Sequence, residues 1–279
     1  MKIKKQVILL LVLISIGIFM YPAAVDLYSQ RHNAKYIDVY TKHISELSEK
    51  EFNDIKKSIS EFNQNLQEPQ DKQKYIKLPE TTSDENGVIA YVEVPSLKIK
   101  LPVYEGVTDE HLEKGAAHLS STSYPVGGKD THTVITAHCG YKGMDMFKDL
   151  DLITKDDLFY IYCLDNKLVY RVDSINVVEP HEMQYINIIP NEDYATLLTC
   201  TPYGINSFRL LIRGKRVEGS ELSTCKPKPK LSLPQKIRCT FKKRTVYKKY
   251  LLLPLIPITA IIAAISVKIH KKRKNTDHE

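Results

Sequence analysis

The 279-residue chain contains no tryptophan, only five cysteines and only 11 glycines. Five cysteines, an odd number in a chain this long, do not make the paired framework of a disulfide-stapled domain. No Cys-x-x-Cys pair occurs, and the closest two cysteines in sequence are Cys225 and Cys239, which removes the usual structural zinc sites. Glycine is too scarce for collagen, and 43% hydrophobic residues exclude wholesale disorder. Internal repeats are absent. A basic folded surface is missing too. The net charge is +7, but residues 226–279 hold fifteen Lys and Arg against two Asp and Glu. Residues 1–225 are therefore net acidic, which argues against a nucleic-acid partner.

The basic residues instead flank two apolar runs. Val7 to Val25 has no ionisable group apart from Tyr21 and is long enough to span a bilayer as a helix. It is long for the apolar part of a secretory signal, and Ala23-Ala24-Val25 is only a passable cleavage site, so it reads as an uncleaved anchor, a cleaved signal being the alternative. Tyr250 to Val267 is a second run of nearly the same length. Lys2, Lys4 and Lys5 place the N-terminus in the cytoplasm and export the chain beyond the first run. The local count at the second run, seven Lys and Arg in 236–249 against five in 268–274, points the other way. The first span usually sets topology, so 236–249 is expected against anionic headgroups on the outer face.

These runs divide the chain. Residues 1–6 form a cytoplasmic N-terminus, 7–25 the first span, 26–86 an extracellular helical stalk and loop, and 87–217 the main domain. A Pro/Lys-rich basic tether (218–249), the second span (250–267) and a basic tail (268–279) complete it. Within the stalk, residues 33–66 carry apolar positions at intervals of three and four, with one break of five after Leu47. Asn63 to Gly87 reads as loop. From Val88 the pattern becomes strand-like: Val88–Val94, Ile99–Tyr104, Thr133–Ala137, Leu158–Tyr162, Leu168–Val172, Ala195–Thr199 and Phe208–Arg213. One short helix fits Thr108–Lys114, with Thr108 as its cap. Many short strands imply a mainly β fold, a barrel or a sandwich.

The run Thr196 to Arg213 carries the candidate chemistry. A strand brings Cys200 to its end, and the next strand places Arg209 and Arg213 on one face. A thiol with an ordinary pKa near 8.5 needs a cationic neighbour to act as a nucleophile at neutral pH, and an arginine also holds an oxyanion. A strand cysteine is otherwise a small buried hydrophobe. Nine histidines are available as partner base. His32, His43, His270 and His278 fall in the stalk or tails and His111 on the short helix, all read as solvated; His181 falls in a loop. His118, His132 and His138 fall in or near strands. Residue chemistry alone does not choose among them, although His138 stands at a strand-to-loop edge.

Thr196-Leu197-Leu198-Thr199-Cys200 matches the T-L-x-T-C pattern of the sortases, with Arg209 on the following strand and His138 ending a strand well upstream, as their essential Arg and His do. Gly87–Gly106, Gly115–Gly128 and Cys200–Asn206 extend the likeness, so that residues 87–217 resemble a sortase domain. The two apolar runs, the helical stalk and Thr201-Pro202-Tyr203-Gly204-x-Asn206 are most similar to class C, the pilus-assembling sortases of Gram-positive bacteria. The resemblance implies an eight-stranded β-barrel and a cysteine transpeptidase with no metal or cofactor. Cys200 would be its nucleophile, His138 its acid and base, and Arg209 its oxyanion residue. It implies cleavage of an LPXTG-like sorting signal between Thr and Gly and transfer to a pilin lysine, at the outer face of the cell membrane, beside its lipid. The groove would be lined by Asp173–Tyr194.

Two departures from the family stand out. The Asp-Pro-aromatic lid of many class C enzymes is replaced by Glu68-Pro69-Gln70 and Leu78-Pro79-Glu80, so no aromatic plug over Cys200 is expected. Cys139 follows the histidine where relatives often carry Arg; it is expected as a free thiol, the alternative being a pair with Cys163. The competing assignments are a sortase that attaches proteins to peptidoglycan, an L,D-transpeptidase-like wall enzyme, and a non-catalytic membrane-tethered scaffold. The L,D-transpeptidases set their cysteine after Ser-His-Gly, where this chain has Leu198-Thr199.

Overall fold

The computed structural model describes residues 2–68, 74, 76, 78–141 and 144–218. The tether beyond Glu218, the second apolar run 250–267 and the tail 268–279 lie outside the described residues, as do residues 69–73, 75 and 77 of the lid-like stretch.

Eight strands close into a barrel in the order β1-β2-β3-β4-β7-β8-β6-β5. They are β1 (Val88–Val94), β2 (Ile99–Glu105), β3 (Ala116–His118), β4 (Thr131–Thr136), β5 (Leu158–Cys163), β6 (Asn166–Val178), β7 (Asp193–Thr201) and β8 (Phe208–Arg216). Closure leaves no unpaired edge. Alternation fills the interior with Val92, Val94, Leu101, Val103, Ile135, Phe159, Ile161, Leu197, Leu210 and Ile212, all buried. Gly214 shows how tightly this interior is filled, since a Cβ there would lie 2.5 Å from the Phe159 ring.

Seven of the eight strands coincide with the sequence reading. The eighth, β3, is only three residues, too short to show alternation; it is held by parallel pairing to β2 and antiparallel pairing to β4. Strand β6 is far longer than Leu168–Val172 because it crosses from β5 to β8, with a register shift between Val172 and Ser174 that continues the pairing to Val178. The expected groove-lining loop Asp173–Tyr194 is therefore strand as far as Val178 and again from Asp193.

The N-terminal helices also depart from expectation. The apolar run and the first part of the stalk form one continuous helix, α1 (Lys2–Glu46), because residues 26–46 offer no glycine or proline to interrupt it. A stretch of α1 reaches a mean hydropathy of 2.1 with none of it buried, long and apolar enough to cross a membrane. Beyond it Ser29, Asn33, Ile37 and Tyr40 are buried. The break after Leu47 is a helix boundary. Ser48 caps α2 (Glu49–Asn65) by accepting from the Glu51 amide at 3.3 Å, while the Glu51 carboxylate accepts from the Ser48 amide at 3.0 Å. Ile55 and Ile59 of α2 are buried in the barrel's cluster, about 1.5–3 kcal/mol each. The region Asn63–Gly87 is not wholly loop. Asn63 belongs to α2 and accepts from the Tyr124 amide at 2.7 Å, and Asn65 holds the Lys74 backbone by two 2.8 Å hydrogen bonds. The short helix α3 (Asp109–Lys114) stands as expected, with Thr108 Oγ1 accepting from the His111 amide at 3.1 Å.

Candidate active site

Strand register places the three candidate residues in one row. Parallel β4 and β7 pair at a constant offset, from Thr131 with Asp193 to Thr136 with Leu198. The pairing runs on past the end of β4, since the Ala137 amide donates to the Leu198 carbonyl at 3.2 Å and Thr199 Oγ1 donates to the Ala137 carbonyl at 2.8 Å. Extended by two residues, that register sets His138 level with Cys200. On the other side, antiparallel β7 and β8 pair Cys200 directly with Arg209. Neighbouring strands lie about 4.8 Å apart, so His138, Cys200 and Arg209 occupy three adjacent positions across the sheet. Alternation puts Ala137, Leu197 and Leu210 in the core and their neighbours on the outer face. Cys200, His138 and Arg209 are all half-buried.

Each member is held differently. The His138 carbonyl accepts from the Phe147 amide at 3.1 Å, and Phe147 is fully buried with Leu150 and Ile153 in the barrel's cluster. The His138 ring stacks on Tyr141, with centroids 5.0 Å apart and planes 14° apart, and the Tyr141 hydroxyl donates to the Glu113 carboxylate of α3. Gly140, at φ 83°, leaves room for Tyr203, since a Cβ there would be 3.1 Å from its ring. Arg209 turns Nη1 toward the carbonyls of Asn206 and Phe208, both at 3.1 Å.

The other candidates are placed elsewhere. Arg213, on the same strand face as Arg209, makes two hydrogen bonds to Asp173 (2.7 and 3.0 Å) and lies over the Tyr194 ring at 4.4 Å. His118 is fully buried, 2.8 Å from Glu105 and 3.0 Å from the Ser123 carbonyl. His132 is buried under the β6–β7 connection: Nδ1 donates to the Asn187 carbonyl at 2.9 Å and Nε2 accepts from Thr196 Oγ1 at 2.8 Å. Burial holds its pKa below the usual histidine range, with Arg213 adding to the effect against the opposing Asn187 hydrogen bond. Three histidines read as solvated are in fact engaged. His43 bonds the Thr81 carbonyl at 2.9 Å, His111 bonds the Gly106 carbonyl at 2.8 Å, and His32 stacks on Tyr28 and meets Tyr36 edge to face. His181 is exposed, 3.7 Å from Glu179.

Cys139, Cys163 and Cys200 are free thiols. Cys163 is buried in the barrel, its thiol pushed up to about 12, and the Cys139 thiol is raised to about 11 by burial first and then by Asp151 and the Cys200 sulfur beside it. Neither is a ready nucleophile at neutral pH. Among the described residues no cluster of three or more His, Cys, Asp and Glu is placed to hold a metal. Sequence reasoning missed Tyr141, Glu113 and Phe147, which shape the site through the ring stack, the hydroxyl bond and the backbone.

A closed eight-stranded barrel with Cys, His and Arg in one row is the arrangement of a sortase domain, and the sortase-domain family model matches residues 92–217. The chain belongs to the sortase family. Its structural neighbours are class C sortases. It is 40% identical to Clostridium perfringens sortase C solved with the C-terminal cell wall sorting motif, covering 66% of this chain and 98% of that one at TM-score 0.60. It is likewise 40% identical to Streptococcus pneumoniae sortase C, covering 66% and 97% at TM-score 0.59. Against the curated sortase A of Bacillus anthracis it is 29% identical over 134 residues, which are 48% of this chain and 62% of that protein.

Proposed function

We propose that this protein is a membrane-anchored class C sortase, a cysteine transpeptidase that cuts an LPXTG-like sorting signal and joins it to a pilin lysine. The observation that carries this reading is the row His138–Cys200–Arg209 across β4, β7 and β8. The Cys200 sulfur attacks the Thr–Gly carbonyl carbon, and the Arg209 guanidinium stabilises the negative charge that develops on the carbonyl oxygen. The C–N bond breaks as His138 gives its proton to the leaving glycine amine, leaving a thioester. The acceptor lysine amine then attacks that carbonyl and yields a proton to His138; the C–S bond breaks and an isopeptide bond remains. The ring of Tyr141 stacked against His138 holds the imidazole in place beside the reacting carbonyl. The exposed apolar residues Val177, Met183, Tyr185 and Ile189 on the β6–β7 side suit the apolar positions of a sorting signal.

The apolar part of α1 supports a membrane anchor with the barrel outside, and the class C neighbours support pilin rather than peptidoglycan as acceptor. The test uses the full chain in detergent with an LPXTG peptide and, separately, a lysine-bearing pilin peptide or a peptidoglycan stem amine. Intact-mass measurement should show an acyl adduct on Cys200 that is discharged by the lysine peptide and is absent in Cys200→Ala. Discharge by the stem amine alone would move the enzyme to the wall-attaching class. If Cys200 alkylates readily yet forms no adduct with any sorting peptide, the transpeptidase reading falls and the scaffold reading replaces it.

A further inference from the structure

We infer that the Cys200 end of the barrel lies against the bilayer, with the turn from Thr201 to Phe208 seated in the lipid interface. This rests on the reading of Val7–Val25 as a membrane anchor and goes beyond it by giving the barrel an orientation.

The first ground is the absence of a spacer. Helix α1 is unbroken from Lys2 to Glu46. Its apolar side chains from Leu10 to Tyr21 are exposed, yet Val25 and Asp26 are already half-covered and Ser29, Asn33, Ile37 and Tyr40 are buried in sequence. Contact with the domain therefore begins where the apolar run stops, and the barrel stands directly on the surface from which α1 emerges.

The second ground is which end meets that surface. Asp26 lies within electrostatic reach of Asp145 and Lys148, which sit on the segment that leaves His138 and returns through Phe147. Its carboxyl is raised mainly by burial and then by Asp145, against the lowering effects of its 2.9 Å bond from Gln30 and of Lys148. Further along, the Tyr40 hydroxyl accepts the Leu164 amide at 2.9 Å and its ring packs with Val88 and Tyr104. Helix α1 thus enters at the His138 end and descends along the barrel. The opposite end, where Lys129 and Asp130 precede β4, is separated from Cys200 by most of β7, roughly 23 Å of strand.

The third ground is the chemistry of the β7–β8 turn. Thr201 to Phe208 has no Asp, Glu, Lys, Arg or His, and it exposes Tyr203 (55%), Ile205 (58%) and Phe208 (41%). Several of its backbone groups are met from within: the Ile205 and Asn206 amides donate to the Pro202 carbonyl at 3.0 and 2.9 Å, and Arg209 caps the Asn206 and Phe208 carbonyls. A turn without charged side chains that meets part of its backbone internally and presents apolar tips suits the interface, where the remaining polar groups still reach water and headgroups. Tyr203 packs at Gly140, which puts this turn at the same end as the segment beside Asp26. Exposed Tyr21 and Tyr28 flank the outer end of the apolar run, where tyrosines favour the headgroup level. Seating of about 5–10 Å, typical of interfacial segments, would bury the three tips and leave Arg209 at headgroup depth.

The chain has no tryptophan, so one introduced residue gives an unambiguous probe. Full-length Ile16→Trp, Ile205→Trp and Lys129→Trp would be reconstituted in phosphatidylcholine/phosphatidylglycerol vesicles with ordinary or brominated acyl chains. Ile16→Trp and Ile205→Trp should each lose roughly half or more of their emission in brominated lipid, and Lys129→Trp almost none. Tyr203→Trp supplies a second probe should Ile205→Trp fold poorly. Quenching of Ile16→Trp with none at Ile205→Trp and Tyr203→Trp would overturn the orientation. No quenching at Ile16→Trp would overturn the anchor itself, so the two failures are distinct. Quenching at Lys129→Trp with none at Ile205→Trp would mean that the barrel stands the other way up.

Discussion

Three side chains in one row stand in unequal surroundings, and the differences set the response to substitution. His138 is half-exposed at a strand end, whereas His118 and His132 have both ring nitrogens engaged in the interior. His138→Ala should lower kcat by about 10²–10⁴-fold, the usual worth of a general acid–base, with the thermal midpoint little changed. His118→Ala and His132→Ala should act through folding instead. Equal loss of kcat in folded His132→Ala would remove His138 from its role. Arg209→Lys should cost roughly 10²-fold in kcat, because an ammonium lacks the planar fork of donors that meets an oxyanion. His132 also supplies a pH signature. Its folded pKa is depressed, so the unfolded chain takes up the proton first as pH falls through about 6.5, and stability declines from there down to the folded pKa. The thermal midpoint should drop across that window, and His132→Gln should flatten this part of the slope; an unchanged slope would show that another group carries it.

At the scale of elements, the site depends on connections that sequence patterning reads poorly. Seven strands show themselves through β-branched and aromatic runs, and Thr108 announces α3. Strand β3 does not, because three residues carry no period and its place is fixed by β2 and β4. Cys200 and Arg209 were legible from a strand–turn–strand pattern. His138 was legible only through the family's spacing, and the constant offset of β4 against β7 gives that spacing its physical sense. Tyr141 was not legible, since it meets His138 through a ring stack and α3 through a hydroxyl bond to Glu113. Ser48 and Glu51 were a readable capping box that the stripe of apolar residues obscured. The Tyr141 geometry makes a graded prediction. Tyr141→Phe keeps the ring and loses the bond to Glu113, whereas Tyr141→Leu loses both. If the ring positions the imidazole, kcat with a sorting peptide should fall in Tyr141→Leu and fall less in Tyr141→Phe, with the thermal midpoint little changed in either. Identical effects of the two variants would mean that the ring contributes nothing.

For the whole molecule, charge distribution and apolar runs supplied the anchor reading, and the continuity of α1 from Lys2 to Glu46 added a relation that composition does not contain, a fixed one between helix and barrel. The helical stretch expected after the apolar run is there, as the end of α1 and as α2, and it packs on the barrel. If both reactants are held at one surface, the full chain in vesicles should convert a lipid-anchored sorting peptide well over tenfold faster than the same peptide free in solution at equal bulk concentration. The advantage should vanish when excess detergent disperses the two. Equal rates with and without the lipid anchor would show that tethering does not govern encounter.

An unbroken helix has a further consequence. On the anchored reading, a barrel carried on a flexible cord could sweep a hemisphere and collect partners from above; one fixed to a continuous helix turns about that helix and drifts with it. Its search becomes planar, counted in copies per area of surface, and its throughput would follow how crowded that surface is.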